Sequence, residues 1–260
     1  MDFENQQMIE RMYDARQRSA LYKSYFAKFG VTNEATLAVM SAIALHKKTN
    51  VVTMLGILGN GHFKGDFNKA STFLEQCVDD GVINYDASTD NFTVRFPVDQ
   101  ATEELARQYQ YLPPMIVPPQ ELRDNKDSGY LTRGADSLIL NDNHHEGDIC
   151  LDHLNKLNRV KLTANIQVVK KIRNSWKGLD KQKADETFQD YQDRIKAFER
   201  YEKHSFNVIA LMEAMGNEFY LTHKPDKRGR TYCQGYHINY QGNSWNKAIV
   251  ELAHKETLDD

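Results

Sequence analysis

Residues 224 to 243, "KPDKRGRTYCQGYHINYQGN", set one carboxylate, Asp226, within four positions of two arginines, Arg228 and Arg230, with Gly229 between them. A guanidinium grips a phosphate through two parallel hydrogen bonds, and a neighbouring carboxylate fixes its rotamer. Asp226 beside Arg230 therefore suits an oriented phosphate clamp. Gly229 lets a polymer backbone come close, because no side chain stands in the way. Tyr232, Asn239, Gln241 and Asn243 follow at spacings from which they can touch sugars or base edges. The same short pattern also fits a surface turn that holds an ordinary Asp–Arg pair. A second cluster, His144, His145 and His153 with Asp142, Asp148 and Asp152, has metal-ligating residue types. Adjacent histidines point different ways on most backbones, and polar turns are built of such residues, so the expectation is that this chain holds no metal.

The clamp needs elements to hold it. "NEFYLTHK" and "TYCQGYHI" read as strands, and Pro225 and Gly229 break regular structure between them, which places the clamp on a loop. Upstream, Ile149, Leu151, Leu154, Leu157, Val160, Leu162, Ile166, Val169 and Ile172 recur close to helical spacing and predict one long helix from Asp148 to about Trp176, ended by Gly178. A second helix is predicted over Lys181 to Lys203, with Phe188, Tyr191, Ile195 and Phe198 as a thin apolar seam. Two helices joined by a short turn make an antiparallel hairpin. Its outer side would carry Lys183, Arg194, Lys196, Arg200 and Lys203, suited to a phosphate backbone. Alternation with Asp185, Glu186, Asp190, Asp193, Glu199 and Glu202 fits a solvated face equally well.

The four prolines of "YLPPMIVPPQ" force an extended segment, taken as the main boundary. Before it, "TNEATLAVMSAIALHKK", capped by Thr32 or Asn33, and "NKASTFLEQCVDDG", stopped at Gly81, read as helices, and "VINYDASTDNFTVRF" reads as a hairpin. Helices followed by a two-stranded wing are also the order of a winged-helix module, which can bind DNA, with Lys64 to Lys69 as its decisive region. The helix before the hairpin is as acidic as it is basic, which favours a scaffold role. The fold class expected is α+β, mainly α with small hairpins. Its parts are an N-terminal helical domain over 1–112, a proline-rich and irregular connection over 113–147, a helical hairpin over 148–204 and a final part over 205–260 that carries the loop.

At 260 residues, 40% hydrophobic and 27% charged, the chain has an ordinary globular balance. No apolar run reaches the roughly 18 to 20 residues of a membrane span, and "MDFENQQMIE" lacks the order of a signal peptide. Cys77, Cys150 and Cys233 form no CxxC pair, so reduced thiols in a cytoplasm are expected. The net charge of -3 is unevenly spread: 154–230 holds 17 Lys and Arg against 10 Asp and Glu, whereas 1–153 holds 14 against 22. Such a split is expected where one face meets a polyanion.

The residues match more than a pattern. "DKRGRTY", followed by "INYQGN" and "SWNKAIVELAHKE", resembles the D-x-x-G-R motif and its continuation in the single-subunit RNA polymerases of bacteriophages and mitochondria. "PPMIVPPQEL", "SGYLTR" and "LNKLNRVKLTANIQVVKKI" look like further stretches of that family. The resemblance implies that residues 148–203 correspond to a thumb packed on the RNA–DNA hybrid and that the palm begins near residue 218. It implies that Arg230 contacts a template-strand phosphate, that Asp226 holds Arg230, and that Tyr232 lies against the hybrid. Lys227 and Arg228 occupy variable positions.

Nucleotide addition needs carboxylates that hold two metal ions. In the family these follow the D-x-x-G-R segment, whereas this sequence runs only seventeen residues past Asn243, with Asp259 and Asp260 the only aspartates there. The expectation is a fragment, or the small subunit of a split polymerase such as the heterodimer known among enquatrovirus-type podoviruses. A larger partner subunit would then supply the remaining palm, the fingers and most of the magnesium ligation. Template DNA, the RNA–DNA hybrid and a single-stranded-DNA-binding accessory protein are the other implied partners, with no membrane, in the cytoplasm of an infected bacterial host. Open strand edges and an apolar face would make the larger partner obligate.

Overall fold

Side-chain caps decide where most helices begin, because the first N–H groups of a helix lack internal partners. The computed structural model describes residues 1–141 and 143–254, and Asp142, Asp259 and Asp260 lie outside the described residues. Helix α1 (Asp2–Met12) comes first. The remaining elements fall into two compact units, one of residues Met12–Gln110 and one of Met1–Arg11 with Tyr111–Asp260.

The Met12–Gln110 unit contains α2 (Ala15–Ala27), α3 (Glu34–His46), β1 (Lys48–Asn50), α4 (Val51–Gly61), α5 (Phe67–Asp79), β2 (Ile83–Asp86), β3 (Asn91–Val94) and α6 (Gln100–Gln108). Asn33, Asn50, Asp66 and Asp99 cap α3 to α6, each accepting from a backbone N–H three residues on. The predicted hairpin forms, and β1 joins it to give an antiparallel sheet in the order β1-β3-β2, with Lys48 opposite Thr93 and Ile83 opposite Val94. Helix α3 is buried from Leu37 through Ser41 to Ala44 because it lies between two clusters. Val39 and Ile43 pack with Met54, Leu58, Leu74 and Phe92, and Leu37 and Met40 pack with Tyr22 and Phe26. A helix that is apolar all round needs this double cover.

The other unit holds α7 (Leu151–Asn158), β4 (Leu162–Ala164), α8 (Ile166–Lys171), α9 (Phe188–Ala214), β5 (His223–Pro225), β6 (Thr231–Cys233), α10 (Ser244–Ile249) and β7 (Val250–Leu252). Strands β4 and β7 pair antiparallel, Leu162 also bridges to Phe219, and Met115 of the proline-rich stretch bridges to Tyr220. Phe219, Met212, Ile238, Trp245 and Ile249 lie at the centre of the core that these elements enclose. Helix α1 is tied to this unit by polar side chains. Buried Glu10 accepts hydrogen bonds from the Leu131 and Thr132 N–H groups and the Thr132 hydroxyl at 2.7–3.0 Å, and Gln6 accepts one from Ile116 N at 2.9 Å. The irregular 114–133 stretch thus gains backbone partners that it cannot supply itself.

The α+β class holds, with ten helices and seven short strands among the described residues. The single helix expected over Asp148 to Trp176 does not form. Asn165 accepts from Val168 N at 3.1 Å and starts a new helix, and Leu162–Ala164 become a strand because β7 and Phe219 offer them backbone partners. With α8 ending at Lys171, no antiparallel pair of long helices is present among the described residues. The second predicted helix exists as α9, shifted to start at Phe188, where Thr187 and Asp190 form a reciprocal capping box. Helix α10 stops at Ile249, and the chain continues directly as β7. Among the described residues no helix is long and apolar enough to cross a membrane.

Candidate nucleic-acid interface

Strands β5 and β6 pair antiparallel, His223 opposite Cys233 and Pro225 opposite Thr231, and the turn between them is closed by Asp226 N donating to Arg230 O at 2.8 Å. The Asp226 carboxylate organises this turn. Its Oδ1 accepts from the backbone N–H groups of Arg228 (2.9 Å) and Arg230 (3.1 Å), and its Oδ2 accepts from both guanidinium groups at 2.9–3.1 Å. Asp226 is 12% exposed, while Arg228 and Arg230 remain 60% and 53% exposed. Two cations therefore stand outward on one inward anion, and each guanidinium keeps N–H donors that Asp226 does not use. The bond to Asp226 raises the Arg230 pKa further above its ordinary value, and its guanidinium lies 5.6 Å from the centre of the Tyr232 ring. Gly229 sits at φ +80°, and a Cβ there would meet nothing within 4 Å. The left-handed backbone alone accounts for glycine here.

The amides after the loop bond to nearby backbone. Gln241 accepts from Cys233 N at 2.8 Å and donates to Thr231 O at 3.1 Å, so it staples the later loop to β6. Asn239 donates to Gly235 O at 2.7 Å and accepts from Gln241 N at 2.8 Å. Asn243 caps α10 through Asn246 N and donates to Asn174. These three residues shape the loop from within. Behind β5, the buried His223 ring lies between Asn158 (2.8 Å) and the Tyr240 hydroxyl (2.6 Å), and burial pushes its pKa down to about 4, which keeps it neutral. Sequence reading missed His223, because its partners are 65 and 17 positions away.

The helical cations divide. Arg194 makes a bidentate pair with Glu186 at 2.7 and 2.8 Å and also donates to the carbonyls of Gly178 (2.6 Å) and Lys181 (3.2 Å). With Arg194 18% exposed and Glu186 11% exposed, this guanidinium holds the 178–186 segment in place. Lys196, Arg200 and Lys203 lie at i, i+4 and i+7 and share one stripe of α9, with Lys196 and Lys203 exposed. The described members of the histidine cluster do not converge. His144 contacts Ser137 and Glu146, His145 accepts from Gly147 N, Asp148 accepts from Cys150 N, and Asp152 pairs with Lys156. Among the described residues no group of three or more His, Cys, Asp or Glu is placed to hold a metal ion.

No family model matches the chain. The chain is similar to a probable DNA-directed RNA polymerase of Gelasinospora sp. (strain G114), at 25% identity over 161 residues. The match covers 56% of this chain and 18% of that protein, so the chain spans less than a fifth of the relative's length.

Proposed function

We propose that this chain is the small subunit of a split, phage-type DNA-directed RNA polymerase, working in the cytoplasm of an infected bacterial host. The observation that carries this reading is the Asp226 carboxylate, which fixes two outward guanidinium groups on one turn where the sequence resembles the D-x-x-G-R motif. The similarity to a DNA-directed RNA polymerase supports it. In this reading Arg230 grips a template-strand phosphate, Arg228 adds a second cation, Tyr232 lies against the RNA–DNA hybrid, and the Lys196–Arg200–Lys203 stripe of α9 follows the backbone as part of a thumb. Asn239, Gln241 and Asn243 hold the loop in shape.

The carboxylate matched to the motif, Asp226, is committed to two arginines, and the described residues of this chain do not fit a magnesium site. In this reading the metal-binding aspartates, the remaining palm and the fingers belong to a larger partner subunit, with a single-stranded-DNA-binding accessory protein delivering template. Arg230→Ala in the complex tests the role of the loop. Losing a charge-assisted hydrogen bond of about 1.5–3 kcal/mol should lower RNA synthesis about ten- to a hundredfold while assembly persists. Unchanged synthesis would remove the loop from the mechanism.

One observation favours a second reading. The order α3-β1-α4-α5-β2-β3, with the sheet ordered β1-β3-β2, is that of a winged-helix module and suits a stand-alone DNA-binding regulator. Its surface charges argue against this, since Lys69 is paired with Asp66 and the wing tip carries Asp86 and Asp90. Under that reading Lys64→Gln with Lys69→Gln abolishes duplex binding by the full chain; under the polymerase reading binding persists.

A further inference from the structure

From the last turn of α8 toward α9 the chain carries Lys170, Lys171, Arg173, Lys177, Lys181 and Lys183 against a single acidic residue, Asp180, over 170–183. All six cations are exposed, and none forms an ion pair among the described residues. Other lysines of the chain do have carboxylate partners, as in Lys126 with Glu146, Lys156 with Asp152 and Lys161 with Glu218. A solvated loop with no ligand would also be expected to wander. This one is pinned at both ends. Trp245 donates its indole N–H to Ile172 O at 3.1 Å, and the Asn243 side chain donates to buried Asn174 at 3.0 Å. Trp176 packs on Phe198 and Tyr201 of α9. Beyond it Arg194 holds Gly178, Lys181 and Glu186, and the Tyr191 hydroxyl donates to Leu179 O at 3.1 Å.

The anchors at 243–245 lie 13 to 15 positions after Arg230, beyond β6, and Gln241 ties the intervening loop back to Thr231 and Cys233 of that strand. Glu186, which accepts from Lys183 N at 3.0 Å, is neutralised by Arg194, so the strap keeps a positive balance with Asp180 as its own single acidic residue. We infer that the 170–183 strap is a second phosphate-backbone contact, which grips a nucleic acid without reading its sequence and takes up the part expected of the helix face. Fixed backbone with free cations suits a polyanion of regular charge spacing, because little order is lost on binding. The inference rests on the polymerase reading only in naming a nucleic acid as the partner.

The test uses the full-length chain, alone and in the complex with which it purifies. Lys177→Gln, Lys181→Gln and Lys183→Gln are combined, since these side chains anchor nothing, and binding to fluorescent oligothymidylate, a DNA duplex and an RNA–DNA hybrid is followed by anisotropy against salt. Loss of three phosphate contacts should lower the slope of log Kd against log salt by about 2 on a single strand and nearly 3 on a duplex, and arginine at the same positions should restore it. A decrease on any of the three probes supports the strap and identifies the strand arrangement it holds. An unchanged slope overturns it, and so does equal displacement by polyglutamate. Arg228→Gln with Arg230→Gln, run in parallel, separates the two claims. If only the arginine variant weakens binding, the strap fails and the polymerase reading survives; if only the strap variant does, the strap stands and the arginine loop loses its role.

Discussion

Asp226 determines what Arg228 and Arg230 can do. A free arginine loses side-chain entropy when it binds phosphate, whereas one already held at 2.9 Å by a carboxylate has lost most of it in advance. Asp226→Asn keeps the shape and removes the charge. It should weaken binding of primed template about tenfold and leave thermal stability nearly unchanged, as titration calorimetry and a melting curve would read; equal binding by the variant would contradict the clamp. The sequence displayed this arrangement well, because Asp226, Arg228 and Arg230 all interact within four positions. It did not display that Asn239, Gln241 and Asn243 bond to neighbouring backbone, since the partner of an amide depends on the strand beside it.

At the level of elements, the helix expected from Asp148 fails because apolar spacing cannot separate a buried helix from a helix, strand and helix that bury the same residues. Asn165 was the visible signal, being a capping residue three positions before Val168. The pairing of Arg194 with Glu186 across eight positions follows no local rule, so a residue expected to face nucleic acid proves to anchor the strap. This anchor predicts a pH effect. Arg194 holds the Glu186 carboxyl down to about 2, below its ordinary 4.5, so the pair stabilises the strap fully above pH 4.5 and ceases to do so as pH falls toward 2. The indole N–H resonance of Trp176 should shift over that window, and in Arg194→Gln it should already lie at the acid position near neutrality. A resonance insensitive to both changes would contradict the anchor. Buried His237, held near 4, acts in the same direction at higher pH: its neutral form is required, so stability falls as pH drops from 6.5 toward 4. A urea midpoint flat over that range would count against its burial.

For the whole molecule, the hairpin and the two helices α3 and α5 of the Met12–Gln110 unit were legible because their periods and caps are local, whereas α2, α4, α6 and β1 were not read. The return of α1 to the other unit was not, since it depends on Glu10 meeting Leu131 and Thr132 about 120 positions later. Trp176 and Trp245, the two tryptophans of the chain, both lie in that unit, so their fluorescence reports its unfolding alone. Glu10→Gln turns charged acceptors into a neutral amide and should lower the stability read by tryptophan by about 1–3 kcal/mol. A tryptophan transition that stays in place would show that α1 is not tied there. The central claim, that this chain supplies nucleic-acid contacts to a polymerase completed by a partner, is tested most directly by tagged purification from the native host followed by nucleotide incorporation on single-stranded DNA. The account predicts a stoichiometric larger chain that carries metal-binding aspartates, with RNA made only by the pair. A chain that emerges alone, inert in synthesis and bound to duplex DNA, would contradict it.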